Sequence, residues 1–550
     1  MKKLLNSTFL IPVIICVFSL PLILSFFHKG YFPSHDGEWA VVRLSDMYRE
    51  LKDGQIPPRF SGNLNFSYGY PLFEFAYPLP YILGLPFFLF HVGLVNSIKI
   101  LFALSVPMAG LSMYVAVKEL WKTKNGALVS SILYMYLPYR LVDLYARGSL
   151  GESIASILFP LILYCMKRLS QRRSLATVIL LGVAFASLIL SHNIMAVLFG
   201  IVLLSYFIFL FFTEKRSLYI QIFVGLALGI GLSAFFWLPA LVEKNTIFLS
   251  KIPIADRDLY YVSLPKLLLS PWGYGTPTES NPFTYQVGWG HLLVVGALLI
   301  LFIQNYVKKI KVGGEVWLFI GLACLFVIMM FPISRPLWTL PLLKEINYPW
   351  TLLFPLGFLL SLLGGYLPGK GRAYDVLAGG IALISIFTVI TLARPQLYVD
   401  RGDGFYFTND ATTTSSNELM PLTVQTIASA RPLQKVFLRS GQGSVQLVLN
   451  KSQKQIFTAH LSGPSVIRLD TIYFPGWHWY TNGKELPISY DNPEGVMESQ
   501  LPAGDYTIIA QLKSTPARIF ANSLTILSLL VIVGMLGTLF LKENSRKQIN

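Results

Sequence analysis

Long apolar runs, each of about 20 residues and separated by short polar loops, recur along most of this chain. Runs of this length are typical of helices that cross a bilayer. The first run has no charged residue and is followed by no small-residue cleavage site, so it predicts a retained span and not a removed signal peptide. About twelve spans are predicted, at residues 8–27, 97–117, 126–142, 152–167, 174–190, 194–212, 218–240, 288–305, 315–331, 350–367, 374–392 and 519–541.

The apolar segment 71–90 differs from these runs, because it contains several prolines and Glu74. Prolines leave backbone groups without partners, which is costly in lipid. If this segment does not cross, every later basic loop falls on the same side as Lys2 and Lys3, as the positive-inside rule requires. We therefore predict a re-entrant or interfacial segment on the outer face, with both chain termini in the cytoplasm.

Two stretches assigned to the outer face have patterns of their own. Residues 38–51 have apolar side chains at helical spacing with charged residues between them, which predicts an amphipathic helix on the membrane surface. Apolar and polar residues alternate at 444–449, and Asn482-Gly483 separates two strand-like runs. A second turn is predicted at 502–505. This pattern predicts a compact β-sandwich.

These patterns predict a polytopic α-helical membrane protein with a C-terminal extracytoplasmic β-sandwich. The predicted domains are a transmembrane domain at 1–394 that includes an outer loop at 28–96, a β-sandwich at 395–516, and a final helix with a cytoplasmic tail at 517–550.

Composition supports the membrane assignment. The 550 residues are 54% hydrophobic and 13% charged, and a soluble domain carries about twice that charged fraction. The formal net charge of +16 lies largely in short loops between apolar runs, a pattern that sets membrane orientation. We therefore expect the lipid bilayer as a partner and no nucleic-acid surface.

The first candidate for chemistry is His35-Asp36-Gly37-Glu38-Trp39, directly after the first span. Carboxylates at the depth of a lipid headgroup can take a proton from an acceptor hydroxyl or hold a divalent metal on a phosphate. The alternative is structural, with Asp36 capping the following helix and Glu38 stabilising its first turn.

Three further polar positions have the same two kinds of interpretation. Arg147 lies beside glycines in an outer loop that ends at Glu152, where it can bind a phosphate or simply pair with that glutamate. His192 lies in a very short turn between two spans and can line a pocket or cap a helix. Arg59, at the end of the first outer stretch, is a further candidate for substrate binding.

Aromatic residues in the outer loops complete the candidate set. Trp272 and Tyr274 lie in a glycine-rich stretch and can stack on a sugar, although aromatic residues also populate any membrane interface. Trp350, at the start of a span, has the same ambiguity. Residues 476–480 can form a sugar-binding strand or part of the sandwich core.

The chain resembles the GT-C superfamily of membrane glycosyltransferases and, more narrowly, the bacterial membrane proteins labelled "6-pyruvoyl-tetrahydropterin synthase-related". The resemblance rests on a first span followed by an acidic outer loop and on an ordered set of short motifs. These motifs are Ser34–Gly37, Phe73–Tyr81, Leu137–Gly148, Ser191–Asn193, Pro271–Gly275 and Tyr473–Trp477.

The resemblance implies a transferase that uses a polyprenyl-phosphate-linked sugar donor and a glycan or other cell-envelope acceptor at the outer face of the bacterial plasma membrane. Its catalytic candidate is the acidic residue of the first outer loop, Asp36. Where the superfamily often has adjacent acids or Asp-x-Asp, this chain has Asp-Gly-Glu, so the resemblance leaves metal use open; if a divalent Mg²⁺ or Mn²⁺ is used, Asp36 and Glu38 are its candidate ligands.

Two other function classes remain open at this point. One is a transporter or flippase of lipid-linked sugars, which usually places charged or broken helices near the bilayer midplane. Here the span interiors are nearly free of charge. The other is a non-catalytic scaffold that presents the β-domain to the cell envelope.

Overall fold

The computed structural model describes residues 10–251, 254–276, 278–280 and 282–549, without the side chains of 216–217 and 543–549. Lys2, Lys3 and the first two residues of the predicted span 8–27 lie outside the described residues. The helices up to the C-terminal region are α1 (Leu10–Ile23), α2 (Gly37–Asp53), α3 (Leu72–Phe75), α4 (Leu79–Leu89), α5 (Leu94–Trp121), α6 (Lys124–Met135), α7 (Pro138–Leu141), α8 (Leu150–Gln171), α9 (Leu175–Ser191), α10 (Asn193–Thr213), α11 (Arg216–Leu232), α12 (Ala234–Glu243), α13 (Leu264–Leu268), α14 (Trp289–Val307), α15 (Gly314–Met329), α16 (Leu353–Gly364) and α17 (Arg372–Val389).

Every predicted span coincides with helix in the described residues. Seven helices there are long and apolar enough to cross a bilayer, and the number rises to nine if two bent helix pairs each count as one span. The bends are 64° between α11 and α12 and 102° where Met329 is followed by a 3₁₀ helix at Pro332–Thr339. The other predicted spans, 126–142, 174–190 and 350–367, coincide with the shorter helices α6, α9 and α16.

The segment 71–90 forms α3 and α4, which are separate short helices. Helix α4 has 11 residues and is about 17 Å long at 1.5 Å per residue. It is therefore too short to cross a hydrocarbon core of about 30 Å. It packs between α2 and α5, and its Gly84 lies against Leu44, so the segment joins the outer loop to the membrane helices.

A tight connection between α7 and α8 prepares one part of the candidate site. Residues Val142–Arg147 form a π-helical turn that ends at Gly148, which has a left-handed φ of 64°. The amide of Ser149 donates to the carbonyl of Asp143 and closes this turn. Side chains on a π-helical turn can point inward together, and such turns are frequent at functional sites.

The predicted surface helix is present as α2, but its environment differs from the prediction. Asp46 and Glu50 lie on the face expected to meet solvent, and each is only 1% exposed. Residues 395–435 and the β-domain cover this face, so α2 is enclosed by protein. The reason is long-range packing, since the contact between Glu38 and Arg401 joins positions 363 residues apart.

The C-terminal region contains the short helix α18, then eight strands and the last helix. Their bounds are α18 (Asp403–Phe407), β1 (Val436–Ser440), β2 (Gly443–Lys451), β3 (Lys454–Leu461), β4 (Ser465–Ile472), β5 (Trp477–Thr481), β6 (Lys484–Leu486), β7 (Val496–Leu501), β8 (Gly504–Leu512) and α19 (Pro516–Ile549).

The strands form two antiparallel sheets, with orders β1-β4-β7 and β2-β3-β8-β5-β6. The predicted Asn482-Gly483 hairpin is confirmed, because Thr481 pairs with Lys484 and both turn residues have positive φ. The turn at 502–505 is also confirmed, between β7 and β8. Trp477 and Trp479 are buried in the sheet core, whereas His478 and Tyr480, which alternate with them, are partly exposed. A sugar-binding role for 476–480 stays a prediction.

Candidate active site

Asp36 immediately precedes α2, at the position of the N-terminal cap. Its side chain makes no capping hydrogen bond; the Ser34 hydroxyl instead accepts from the Gly37 amide at 3.2 Å. Asp36 therefore occupies the cap position without the side-chain bond of the structural alternative, while Glu38 does lie in the first turn. In the described part of the chain this half-buried carboxylate has no hydrogen-bond donor, and its oxygens are not sealed from solvent. Asp36 therefore has a carboxylate available to a ligand.

Backbone hydrogen bonds fix Asp36 beside the π-helical turn. The amide of His35 donates to the carbonyl of Ala146 at 3.1 Å, and the amide of Asp36 donates to the carbonyl of Arg147 at 2.7 Å. Gly148 allows this approach, because a Cβ there would lie 2.6 Å from the backbone nitrogen of Gly37. Two distant parts of the chain thus meet through their main chains.

Arg147 occupies the centre of a charged cluster. Its Nη1 donates to Asp143 at 2.6 Å, to Glu152 at 2.5 Å and to the hydroxyl of Tyr139 at 3.0 Å. The predicted Arg–Glu pair is therefore formed. Its Nε and Nη2 donate to no side chain or carbonyl of the described residues, and the guanidinium lies 4.9 Å from the ring centre of Trp350. One side of the guanidinium is fixed, and the other is available to an anion.

Glu152 connects Arg147 to His192. The Nε2 of His192 lies 3.6 Å from Glu152 Oε1, while its Nδ1 accepts from the Met195 amide at 3.2 Å and caps α10. Because Nδ1 accepts, the ring proton is on Nε2 and faces Glu152. Gly151 permits this packing, since a Cβ there would lie 2.5 Å from the carbonyl of Ser191. His192 therefore caps a helix and also lies beside the charged cluster.

The electrostatics of Asp36 reflect this setting. Burial raises the pKa of Asp36, and the nearby Arg147 and Arg43 oppose that rise. A carboxylate with a raised pKa binds a proton more readily than a solvated one. A general base requires both a raised proton affinity and an accessible oxygen.

Glu38 has a different environment. It accepts from Arg401 at 2.8 Å and from the hydroxyl of Tyr406 at 3.0 Å, both in the C-terminal region. Glu38 is therefore engaged in a contact between distant parts of the chain. No group of three or more His, Cys, Asp or Glu side chains with the spacing of a metal site occurs among the described residues.

Aromatic residues form one wall of the site. Phe283 lies 4.9 Å from the ring of Trp350, which itself stacks on Arg147. The Nε2 of His35 lies 2.9 Å from the carbonyl oxygen of Tyr274, and Trp272 contacts the Tyr274 ring edge to face. Tyr274 therefore reaches the acidic segment through its backbone, and Trp272 packs against Tyr274.

Arg59 lies in another cluster. Its Nη1 pairs with Glu74 at 2.8 Å, and its Nη2 donates to the carbonyl of Phe235 and to Asn522. Arg518 extends this network. The printed contacts of the described residues do not join Arg59 to Asp36 but place it in a buried ion pair with Glu74. Its predicted role in substrate binding stays a prediction.

Several residues of the cluster were missed by sequence reasoning. Asp143 precedes Arg147 by one helical turn, a spacing that predicts an ion pair. Tyr77, whose ring lies 5.0 Å from that of His192, occurs in one of the resembling motifs. Tyr139, which bonds Arg147 and Glu152, likewise lies in one of the resembling motifs. Arg43 carries no local signal, because its partner Thr413 lies 370 residues away.

Comparisons with known proteins give one family and several distant relatives. The family profile "6-pyruvoyl-tetrahydropterin synthase related domain; membrane protein" matches residues 73–364, which is more than half of the chain. An uncharacterized protein of Lactococcus lactis subsp. cremoris (strain MG1363) is 24% identical over 335 residues, 58% of this chain and 53% of the relative.

Among solved structures, the chain is similar to the arabinofuranosyltransferase AftD from mycobacteria. One AftD structure matches at 16% identity and a TM-score of 0.45, over 72% of this chain and 28% of AftD. A mutant form of AftD matches at 12% identity and a TM-score of 0.48, over 92% of this chain and 41% of the AftD chain. This chain thus spans about half the length of the curated relative and less than half of AftD. By the family match, the chain belongs to the 6-pyruvoyl-tetrahydropterin synthase related family of membrane proteins.

Proposed function

We propose that this protein is a glycosyltransferase that moves a sugar from a polyprenyl-phosphate-linked donor to a hydroxyl of a cell-envelope acceptor, at the outer face of the bacterial plasma membrane. The observation that carries the proposal is the accessible carboxylate of Asp36, which has no hydrogen-bond partner among the described residues. The Asp36 amide is bonded to the carbonyl of Arg147, whose guanidinium has one side without a partner in the same part of the chain.

The geometry supports a defined division of roles. Asp36 takes the proton from the acceptor hydroxyl, whose oxygen forms a bond to the anomeric carbon of the donor. The bond from that carbon to the phosphate oxygen breaks, and the polyprenyl phosphate leaves with the electron pair. Arg147 stabilises the negative charge on the leaving phosphate through Nε and Nη2. Attack opposite the leaving group inverts the anomeric centre.

The remaining residues act through these two. Glu152 and Asp143 hold Arg147, and His192 holds Glu152, so they are positioning residues. We also propose that Glu38 positions α2 and does not enter the chemistry, because both its contacts are to the C-terminal region.

The test is a transfer assay in proteoliposomes, with polyprenyl-phosphate sugars radiolabelled in the sugar and an envelope extract as acceptor. Asp36→Asn should reduce transfer by about 100-fold or more, as expected for loss of a general base, with unchanged expression and thermal unfolding. The matched control is Asp400→Asn, since Asp400 is an exposed carboxylate paired only with Lys29. The control should retain full transfer.

Two outcomes would reject the proposal. In one, the Asp36→Asn protein transfers sugar at the wild-type rate. In the other, the wild-type protein moves labelled lipid across the bilayer without consuming it, which would identify a flippase.

A further inference from the structure

The C-terminal region holds α2 at several successive levels. Near its start, Glu38 is bonded to Arg401 and Tyr406. In the middle, the guanidinium of Arg49 donates to the carbonyl of Phe407 at 2.5 Å and lies over its ring. Because α2 begins directly after Asp36, these contacts fix the helix that follows the candidate base.

At the end of α2, Asp53 accepts from the amide of Ser452, in the turn between β2 and β3, at 2.8 Å. The side chain of Gln453 donates to the carbonyl of Asp53 at 2.7 Å. Gln55 lies between Glu50 and the hydroxyl of Ser452. The end of α2 and the β-domain therefore form a polar contact in which Gln55 and Ser452 are buried.

Two buried carboxyl groups lie at this contact, one helical turn apart. Glu50 accepts from the Gly62 amide at 3.0 Å and from Gln55 at 2.8 Å. Asp46 has no well-formed hydrogen bond at either oxygen within the described chain, and the buried hydroxyl of its neighbour Ser61 is also without one. A buried ionised carboxylate with no donor carries a large desolvation cost.

The charged groups around this pair do not neutralise it. On α2 itself, Arg49 favours ionisation of Asp46, whereas Glu50 and Asp53 oppose it. Arg49 also faces Arg431 of the C-terminal region, and Asp46 faces the hydroxyl of Tyr70 on the outer loop. Burial raises the pKa of Asp46 to about 7 and that of Glu50 well above its usual value.

We infer that the carboxyl pair Asp46–Glu50 is a proton-binding site formed by docking of the C-terminal region on α2, so that loss of the proton loosens this docking. The inference follows from the burial of both carboxyls, from the absence of a well-formed hydrogen bond to Asp46 among the described residues, with only the Ser61 hydroxyl nearby, and from the position of the pair under the Ser452 contact. It goes beyond the proposed transfer reaction and holds whether or not Asp36 is a base.

The sign of the pH dependence follows from linkage. An acid whose pKa is raised on docking binds its proton more tightly in the docked state, so docking is favoured at low pH. The docking free energy that the Asp46 proton contributes falls as the pH rises from the usual pKa of about 4 to the docked pKa of about 7, and it is lost completely above that pH. Docking should therefore weaken by about 10-fold or more between pH 5 and pH 8.

The test is hydrogen exchange of the full-length protein in lipid nanodiscs, followed at the amide of Ser452. This amide donates to Asp53 across the contact. After correction for the intrinsic exchange rate, its protection should fall by about 10-fold or more from pH 5 to pH 8. Asp46→Asn should remove that fall. The exposed carboxylate of Asp505 supplies the control, because Asp505→Asn should keep the wild-type fall.

The inference would be overturned if the Ser452 amide of the wild-type protein is equally protected at pH 5 and pH 8. It would also be overturned if protection in Asp46→Asn falls between these pH values as much as it does in the wild type. If Asp46→Asn does not fold, infrared spectroscopy of the wild-type protein decides instead. A buried protonated carboxyl band should be present at pH 5 and lost by pH 9. The absence of that band at pH 5 would also overturn the inference.

Discussion

Replacing Glu74 by glutamine tests the buried ion network that joins the outer loop to α12 and α19. Glu74 is fully buried and lies 2.8 Å from Arg59 and 3.5 Å from Arg518, while Glu243 lies 2.6 Å from Arg518. Two carboxylates and two guanidinium groups balance. Glu74→Gln leaves two buried arginines with one carboxylate, and an uncompensated buried charge costs about 3–5 kcal/mol.

A double-mutant cycle separates charge balance from packing. Arg59→Met alone should destabilise the protein, whereas Arg59→Met combined with Glu74→Gln restores neutrality. The double variant should therefore lose less free energy of unfolding than the two single variants lose together, and the difference should be about 0.5–3 kcal/mol. The assay is reversible denaturant unfolding in mixed micelles. Glu485→Gln is the control, because Glu485 pairs only with His478 at an exposed position.

This account of the network would be refuted if the stability losses of the two single variants simply add in the double variant. It would also be refuted if Glu74→Gln lowers the free energy of unfolding no more than Glu485→Gln does. The cycle also decides the role of Arg59 independently of any substrate. If Arg59 contributes only through this network, its replacement lowers stability without changing the pH dependence of catalysis.

Three further predictions test other parts of the structure. Gly148→Ala should place a Cβ 2.6 Å from the Gly37 backbone, separate Asp36 from Arg147 and reduce kcat in the transfer assay by about 100-fold. Gly296→Ala is the control and should leave kcat unchanged, because the space around an added Cβ there is open. Glu38→Gln should lower the melting temperature and retain a measurable kcat, with an unaltered pH–rate profile. Burial lowers the pKa of Lys435 to about 7, so between about pH 7 and pH 10 this lysine binds fewer protons in the folded than in the unfolded protein. Raising the pH over this range should therefore increase the stability of the wild-type protein relative to Lys435→Met, as measured by thermal unfolding.

The sequence was sufficient to predict the apolar helices because a helix satisfies its own backbone hydrogen bonds, so its position depends on a local run of apolar residues. The Asn482-Gly483 hairpin was predictable for a similar reason. Both residues must adopt positive φ in a two-residue turn, and they do, at 49° and 76°. Where local chemistry determines the structure, local patterns predict it.

The environment of α2 was not predictable in this way. Its charged face is typical of a helix exposed to solvent, yet the chain that covers it begins more than 300 residues later, as the bond between Arg43 and Thr413 shows. Hydrophobic periodicity contains no information about such a partner. The polar contacts that bury Asp46 and Glu50 therefore became visible only in the folded chain.

The candidate site was predictable in part, because depth in the membrane can be read from the sequence. Asp36, Arg147 and His192 all follow or precede predicted spans on one predicted face, and the structure brings the segments that carry them together. Depth does not determine position around the helix bundle. Arg59 was assigned to the site on depth alone and instead lies beside Glu74, between the outer loop and α19.

Asp36 and Asp46 differ from the other acidic residues of α2 and its N-terminal cap. Glu38, Glu50 and Asp53 each accept hydrogen bonds from defined donors. Asp36 and Asp46 accept none from the described residues, although each is partly or fully buried, and an unpaired buried carboxylate is costly wherever it occurs. Their accessibility separates their roles. Asp36 retains exposed oxygens and can reach a substrate, whereas Asp46 is sealed and can exchange only a proton. A single helix thus connects the proposed base to a proton-sensitive contact, so activity should respond to pH through two groups whose effects Asp46→Asn can separate.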